Sequence, residues 1–548
     1  MAASEFNPRP APWYDRASDW FNAILIKESR QSLKSRQFVV TFLLLLAVAW
    51  VVSVFGLLNS GAALEFGAVG RDFFFYFYFV LAFAAIVIVP FGAFRSLLAE
   101  RDLNTFDLLS ITTLSPRQIV WGKLLSAGLQ LFLFYSAVTP FMAFASLLQG
   151  FNSASAGFIL LATLLLSMLL SMAALMMSTF ARHRVLTGAV TAGALAGLVT
   201  SYFWTMTSVS FVVFRELVSV SDPDFWWGTG LVVLGGASYF VLFQQVAVAQ
   251  LTFDSDNRST GVRIVCAAQF WLLWLAFGVF CYFRSFYPSE IVLQVLAGFS
   301  ALHWAVAGLV FGTEGDHLSR RVRRHVPRNP LARWLAAPFL PGGARGYMLA
   351  LGHLAALWLI VLFAQGLDGM RPAGLSLGDY YRGVFDPLLP TWTTTLRFTT
   401  VVCCYAAIYL GIAAALGRWG RQISSEVTAA HARVIVILVL TAGEIFPLVL
   451  RATEALKSHE YSVYEITSPR ATLQHVLRRA PSEGFVFDWS TPAESLDQLV
   501  RSRGYVDIAV ILLAAAAAFL VFVNLAALGK GVFGLETLKR GEKLKDEG

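Results

Sequence analysis

The sequence predicts an all-α, polytopic transmembrane helical bundle, and its composition is the first observation behind this fold class. Hydrophobic residues make up 57% of the 548 residues, and charged residues make up only 14%. A water-soluble domain carries roughly 25% charged residues, so the composition excludes an ordinary soluble fold. Because backbone N–H and C=O groups in lipid must pair within their own segment, we expect the spans to be helices.

Twelve apolar runs are the second observation, since crossing a bilayer takes about 20 apolar residues. The run at 433–450 is the shortest of them. In chain order they cover 38–58, 73–94, 119–148, 157–180, 185–213, 226–250, 264–283, 289–312, 347–366, 396–417, 433–450 and 506–529.

The connections between the runs divide the chain into five stretches. A six-span domain is followed by further spans with longer connections, of which the one at 313–346 is basic. In order, the stretches are an N-terminal segment with an elbow helix at 1–37, the six-span domain at 38–250, the further spans at 251–450, a loop at 451–505, and the last span with its tail at 506–548.

The loop at 451–505 is expected to form a small extracytoplasmic cap before the last span. Ser468-Pro469 has the pattern of a helix start. Thr491-Pro492-Ala493-Glu494 has the pattern of a capping box with proline at the first helical position. Between them, EGFVFDW at 483–489 alternates as a strand does. The pattern does not indicate what such a cap would bind.

Charge placement predicts the orientation of the spans. If the N-terminus is cytoplasmic, the connections on that side hold 27 Lys and Arg, and those on the other side hold 12. Seven of the 12 lie in 451–505, a long loop where the positive-inside rule has least force. We therefore expect a multi-pass protein of the cell (inner) membrane with both termini in the cytoplasm. No basic stripe with interleaved aromatic residues indicates a nucleic-acid partner.

The most basic connection carries four arginines, Arg320, Arg321, Arg323 and Arg324, followed by Trp334. One interpretation is an anchor that lies on anionic lipid headgroups. The other is a surface that docks a regulatory protein or another partner.

The polar segment at 98–125, between the second and third runs, has the pattern of a short amphipathic helix at the membrane surface. Leu103, Phe106 and Leu109 share one helical face. The string Ser115 to Gln118 then predicts a new helix, with serine as N-cap, proline at the first position and glutamine closing a capping box. From the pattern alone, a helix that only fills the connection is an alternative to a functional one.

Particular residues of this segment carry a resemblance. The string resembles the cytoplasmic coupling segment of type-2 ABC transporter permeases, the membrane subunits of ATP-binding-cassette exporters. The matching residues are Glu100-Arg101, Asn104-Thr105, Leu108-Leu109, Thr112 to Pro116, Arg117 and Gly122-Lys123. Asn104 stands where the family has Gly, and the proline follows Ser115 instead of preceding it.

The N-terminal string at 24–40, with Lys27-Glu28 and further basic residues, is similar to the elbow helix of the same family. The resemblance covers roughly residues 20–250, and the coupling string has no second copy after residue 260. It implies that a coupling helix at 100–115 docks on a separate ABC ATPase subunit and that a second permease copy or a related permease completes a dimer. It further implies a docking surface of Asn104, Thr105, Phe106, Asp107, Leu108 and Leu109, with Glu100 and Arg101 at its base.

Catalytic motifs are missing from the sequence. It contains no G-x-x-x-x-G-K-[ST] phosphate loop, no H-E-x-x-H and no G-x-S-x-G. We therefore expect a transport subunit that is not itself an enzyme and holds no cofactor or metal, with ATP bound by the partner subunit.

Glu444 is the intramembrane polar residue that motivates an alternative. An ionisable side chain at membrane depth costs on the order of 2.5–3.5 kcal/mol on insertion scales, so it indicates either a bond between helices or a substrate or proton contact. Twelve spans and Glu444 together support a gradient-driven secondary transporter as an alternative interpretation, although the two halves of the sequence show no inverted repeat. A non-transporting membrane scaffold coupled to an ATPase is a third interpretation, with 451–505 as its external contact.

Overall fold

The fold was analysed in a computed structural model of the chain. The structure describes residues 23–61, 69–102, 114–148, 150, 152–181, 184–215, 222–253, 256–284, 289–316, 318–324, 326–327, 329–373, 394–423, 428–452, 463–478 and 505–532. All regular elements in these ranges are helical, and twelve of the helices are long and apolar enough to cross a membrane. The prediction of an all-α bundle with about twelve spans is confirmed, including the short run at 433–450, which lies in the span Ala429–Leu450.

The chain forms two compact units, Met1–Phe253 and Asp254–Gly548. The boundary lies within a few residues of the predicted end of the six-span domain at residue 250. The helices of unit 1 are α1 Ala23–Leu33, α2 Arg36–Ser60, α3 Gly70–Phe83, a π-helical turn Ala84–Ile88, α4 Val89–Asp102, α5 Pro116–Leu147, α6 Ser153–Ser178, α7 Arg184–Arg215 and α8 Pro223–Leu251.

Unit 2 holds the other six spans and three short helices. Its elements are α9 Thr260–Arg284, α10 Glu290–Gly312, α11 Arg320–Arg324, α12 Pro330–Ala336, a 3₁₀ turn Ala337–Phe339, α13 Gly343–Ala373, α14 Thr394–Ile423, α15 Ala429–Ala452, a 3₁₀ turn Val463–Thr467, α16 Pro469–Arg478 and α17 Tyr505–Val532.

Two predicted helix starts are present. Ser115 caps α5: its Oγ accepts from the Gln118 N–H at 3.3 Å, and Gln118 Oε1 accepts from the Ser115 N–H at 2.8 Å. Ser468 caps α16 by accepting from the Ala471 N–H at 3.1 Å. The predicted start at 491–494 and the strand-like string at 483–489 lie outside the described residues.

The second span is the most buried of unit 1 and contains the π-helical turn. A π turn shifts the backbone hydrogen-bond ladder by one residue, so a carbonyl needs another donor at membrane depth. Ser167 of α6 supplies one, because its Oγ donates to the Ala85 carbonyl at 2.5 Å. One turn earlier in α6, the Thr163 hydroxyl lies 2.7 Å from the Tyr78 hydroxyl. These two side-chain bonds fix the second span against α6.

Close packing in unit 2 depends on small residues where α10, α13 and α14 meet. Gly346 of α13 lies against Phe311 of α10, and a Cβ added to Gly346 would lie 2.5 Å from the Phe311 Cβ. The two helices can approach this closely because glycine has no side chain at the crossing.

The spacing Gly193-x-x-x-Gly197 in the fifth run predicts close helix packing. Such close packing at these two glycines is not found among the residues of unit 1 that the structure describes. A Cβ added at either glycine of α7 would meet nothing within 4 Å. The motif places two glycines on one face of the helix, but it does not by itself imply that another helix packs against that face.

Gly346→Ala is expected to destabilise unit 2, since the new methyl group would overlap both the side chain and the backbone of Phe311. Overpacking of this kind costs about 1–3 kcal/mol. Gly352→Ala is the matched control on α13, where an added Cβ meets nothing within 4 Å. The measurement is the thermal unfolding midpoint of purified protein in detergent, and an equal shift in both variants would contradict this packing.

Candidate functional site

Four charged side chains meet where α1, α4 and α5 of unit 1 come together. We name them the Lys123 cluster: Lys27 and Glu28 of α1, Glu100 of α4 and Lys123 of α5. Lys123 Nζ lies 2.9 Å from Glu28 Oε1 and 3.3 Å from Glu100 Oε1. Lys27 Nζ lies 3.3 Å from the same Glu100 oxygen. Among the side chains that the structure describes, the cluster holds two cations and two carboxylates.

The Lys123 ammonium is the centre of the cluster. Its side chain is only 1% exposed. An ammonium group has three N–H donors, and three acceptors surround Nζ: Glu28 Oε1, Glu100 Oε1 and the Ser96 carbonyl at 3.2 Å. Glu28 and Ser96 accept hydrogen bonds from Nζ and Glu100 is an ion-pair partner, so this buried charge avoids the penalty that an unpaired one would carry.

Local sequence places each member of the cluster. Ser115 fixes the start of α5, which puts Lys123 seven residues beyond Pro116, about 10 Å along the helix. Glu100 lies in the last turn of α4, which ends at Asp102. Ser35 caps α2 by accepting from the Phe38 N–H at 3.1 Å, and so ends the turn that separates α1 from the first span.

Of the predicted docking residues, only those at the end of α4 are described by the structure. Glu100 and Arg101 belong to the last turn of the second span, so the predicted coupling helix at 100–115 does not begin as a separate element at residue 100. Glu100 pairs with Lys123 just before the segment. The other predicted residues lie outside the described residues; these are Asn104, Thr105, Phe106, Asp107, Leu108 and Leu109.

The cluster brackets the segment at 103–113. α4 ends just before this segment and α5 begins just after it. The Glu100–Lys123 ion pair joins these two helices directly. Glu28 of α1 forms an ion pair with the same Lys123 ammonium. A force on the segment therefore acts on three helices that are held together by buried ionic contacts.

A second buried cation lies in unit 2, and sequence reasoning missed it. Arg263 of α9 has a fully buried side chain, and its Nη2 lies 2.6 Å from Glu314 Oε2. Its Nη1 donates to the carbonyls of Pro338 at 2.9 Å and Leu340 at 2.5 Å. The guanidinium also lies over the Phe311 ring at 5.1 Å. Arg263 thus fixes both ends of the basic connection at 313–346 to α9.

The signal for Arg263 was present in the sequence, because a charged residue at the edge of an apolar run requires a partner. Its partner Glu314 is 51 residues away, and the carbonyl acceptors are backbone atoms, so the pattern could not identify them.

The described part of the basic connection presents an apolar surface next to its arginines. Leu331, Trp334 and Leu335 of α12 are each more than half exposed. Exposed leucine and tryptophan side chains next to arginines are typical of a segment that lies in the membrane interface. This favours the anchor interpretation of the connection over partner docking.

Glu444 of α15 holds the start of α16. Its Oε2 accepts from the Ser468 hydroxyl at 2.7 Å, and its Oε1 accepts from the Arg470 backbone N–H at 3.1 Å. The neighbouring Gly443 lets the chain approach, since a Cβ there would lie 2.6 Å from the Thr467 carbonyl oxygen. A carboxylate at a helix N-terminus pairs with unbonded N–H groups and with the positive end of the helix dipole. Glu444 therefore stabilises the described part of the 451–505 loop.

No cluster of three or more His, Cys, Asp or Glu side chains arranged to hold a metal ion is found among the residues that the structure describes. Comparisons of the chain with protein-family models, with curated proteins and with solved structures find no match.

Lys123→Met is expected to lower the stability of unit 1 by about 3–5 kcal/mol, because it leaves two carboxylates without their shared buried cation. Lys27→Met is the matched control, since the Lys27 side chain is 55% exposed and its pairing is screened by water. The readout is the thermal unfolding midpoint. Adding Glu100→Gln to Lys123→Met should recover part of the loss, and purely additive effects would contradict a coupled cluster.

Glu444→Leu is expected to loosen α16 by about 1–2 kcal/mol through loss of its cap. Glu444→Gln keeps a carbonyl acceptor at the same place and should cost less. Hydrogen exchange of the amides in α16 measures the effect, with roughly tenfold faster exchange in the leucine variant. If the two variants exchange at the parent rate, Glu444 does not cap this helix.

Proposed function

We propose that this chain is the membrane-spanning permease subunit of an ABC transporter, an exporter driven by a separate ATPase subunit. The observation that carries the proposal is the Lys123 cluster. Three of the strings that resemble this family are far apart in the sequence: Lys27-Glu28, Glu100-Arg101 and Gly122-Lys123. Charged residues from all three meet at one buried ammonium group.

The cluster gives the segment at 103–113 the mechanical property that a coupling element needs. A segment between two frayed helix ends would absorb a push by local rearrangement. Here the flanking helices are joined through Glu100 and Lys123, and the Lys123 side chain is almost fully buried, so water cannot readily replace the contacts. Displacement of the segment would therefore move α1, α4 and α5 together.

The energy source in this proposal is the partner. The sequence has no phosphate loop, so ATP binds and reacts on the ATPase subunit, and this chain contributes no catalytic residue. The positive-inside distribution favours a cytoplasmic position for the 103–113 segment and both termini, where such an ATPase operates. We place the protein in the cell (inner) membrane and expect a second permease copy or a related permease in the complex.

Glu444 no longer favours the gradient-driven alternative. Both of its carboxylate oxygens accept hydrogen bonds from the chain at the start of α16. The residue is thus engaged in fixing a helix, and this supports the structural interpretation over a proton or substrate contact. The scaffold interpretation shares the ATPase contact with our proposal, and a transport assay with the reconstituted complex distinguishes them.

Leu108→Asp tests the proposed docking directly. Burying a leucine in a partner's groove contributes roughly 1.5–3 kcal/mol, and an aspartate there would have to lose its hydration. Binding of the ATPase should weaken by at least about one to two orders of magnitude. The measurement is co-purification of the ABC ATPase with the variant, together with the abundance of the variant in the membrane.

Leu58→Ala is the control for this experiment. Leu58 lies near the end of α2 and is 75% exposed, so its loss should leave both abundance and ATPase binding unchanged. If Leu108→Asp retains the ATPase as well as the parent does, the segment at 103–113 is not a docking element and the proposed function fails.

A further inference from the structure

The strongest further feature is a cavity of about 330 Å³ in unit 2, bounded by α10, α14, α15 and α16. Its volume is within the range of small-molecule sites in proteins. We name it the trough. Leu302 and Val306 of α10 form one wall, and Ile437 and Leu440 of α15 form the other.

Small side chains create the trough. Gly298, Ala301 and Ala305 follow one face of α10, at spacings of three and four residues. Ala406 of α14 lies in the floor and is buried. Side chains that end at Cβ leave space between helices whose backbones are fixed by contacts elsewhere.

Arg433 lies at one end of the trough and helix α16 at the other. At one end Arg433 of α15 reaches α10, where its Nη2 donates to the Val310 carbonyl at 3.0 Å and its Nε donates to Thr313 Oγ1 at 2.9 Å. At the other end lie Pro469 and Leu473 of α16, the helix that Glu444 caps. The long side between these ends is bordered by outward-facing side chains, as Leu302 and Ile437 are both more than half exposed.

The trough has the length of one bilayer leaflet. Its lining on α10 runs from Gly298 to Leu309, which is about 16 Å at 1.5 Å per residue. Half of the roughly 30 Å hydrocarbon core is about 15 Å. In a chain that spans the membrane, the medium beside this opening is acyl chains.

The end next to Arg433 is cationic. Arg263, Arg421 and Arg433 all bond the turn at Thr313-Glu314, where Glu314 is the carboxylate among them. A guanidinium has five N–H donors, and no hydrogen bond is recorded for Arg433 Nη1 among the residues described. Planar N–H donors of this kind bind phosphate oxygens well.

We propose that the trough binds one anionic phospholipid, with an acyl chain between α10 and α15 and its phosphate at Arg433. The hydrophobic effect does not drive this binding, because the alternative environment is also hydrocarbon. Close van der Waals contact fills a space that would otherwise lack partner atoms, and the phosphate pairs with the arginine. The inference is independent of the proposed transport function.

Native mass spectrometry of the full-length chain tests the proposal, with phosphatidylglycerol and phosphatidylcholine as the added lipids. The parent should retain one phosphatidylglycerol after delipidation. Ala305→Trp fills the trough and should reduce retention of either lipid roughly tenfold. Val295→Trp is the matched control on α10, because Val295 is 65% exposed and lies outside the trough lining.

Arg433→Gln separates the headgroup from the acyl chain. The preference for phosphatidylglycerol over phosphatidylcholine should fall about fivefold, as expected for one arginine near an anionic lipid. Arg433→Lys should retain most of that preference. Both variants are compared with the parent by size-exclusion profile, so that a misfolded variant is recognised.

A lipid with a photoactivatable diazirine in its acyl chain gives a readout that needs no variant. Cross-links from phosphatidylglycerol should map to peptides of 298–309, 402–410 and 436–440. Equal lipid retention by Ala305→Trp and the parent, or cross-links spread over the exposed helices without enrichment at these peptides, would overturn the proposal.

Discussion

The contacts of one buried ammonium group, that of Lys123, hold together the helices of unit 1 that flank residues 103–113. A buried ammonium group among apolar helices is costly unless polar or charged groups surround it. Glu28, Glu100 and the Ser96 carbonyl surround the Lys123 ammonium, and in doing so they bring α1 and α4 to the start of α5. Helix α1, the end of the second span and the start of the third are therefore held together by the same ionic contacts.

Unit 2 meets the same constraint with a different residue. Arg263 has five N–H donors where Lys123 has three, and its two Nη groups donate to four acceptors in the connection that follows the second span of unit 2. In unit 1 a buried cation and a carboxylate join the helices on either side of the connection after the second span, and in unit 2 they join that connection to α9. Such placement is consistent with connections that transmit or resist force, whereas a connection that only links two spans needs no such anchor.

Periodicity and hydropathy predicted the spans because a single segment in lipid can pair all of its backbone N–H and C=O groups only as a helix. Local capping chemistry predicted the starts at Ser115 and Ser468, since both partners of each cap lie within three residues. The Glu28–Lys123 contact joins residues 95 apart, and Glu444 caps a helix that begins 25 residues later. Such partners depend on tertiary packing, so the sequence indicated charged residues in need of pairing without identifying their partners.

The most direct test of the account is site-specific photocross-linking from position 108 in intact membranes. A photoreactive residue there should form a covalent adduct with an ABC ATPase that carries the phosphate loop this chain lacks, and the yield should change when ATP hydrolysis is blocked. Position 58 on α2 should give no such adduct. If position 108 cross-links only to lipid or to this chain, the segment is an interfacial connection and the coupling role is contradicted.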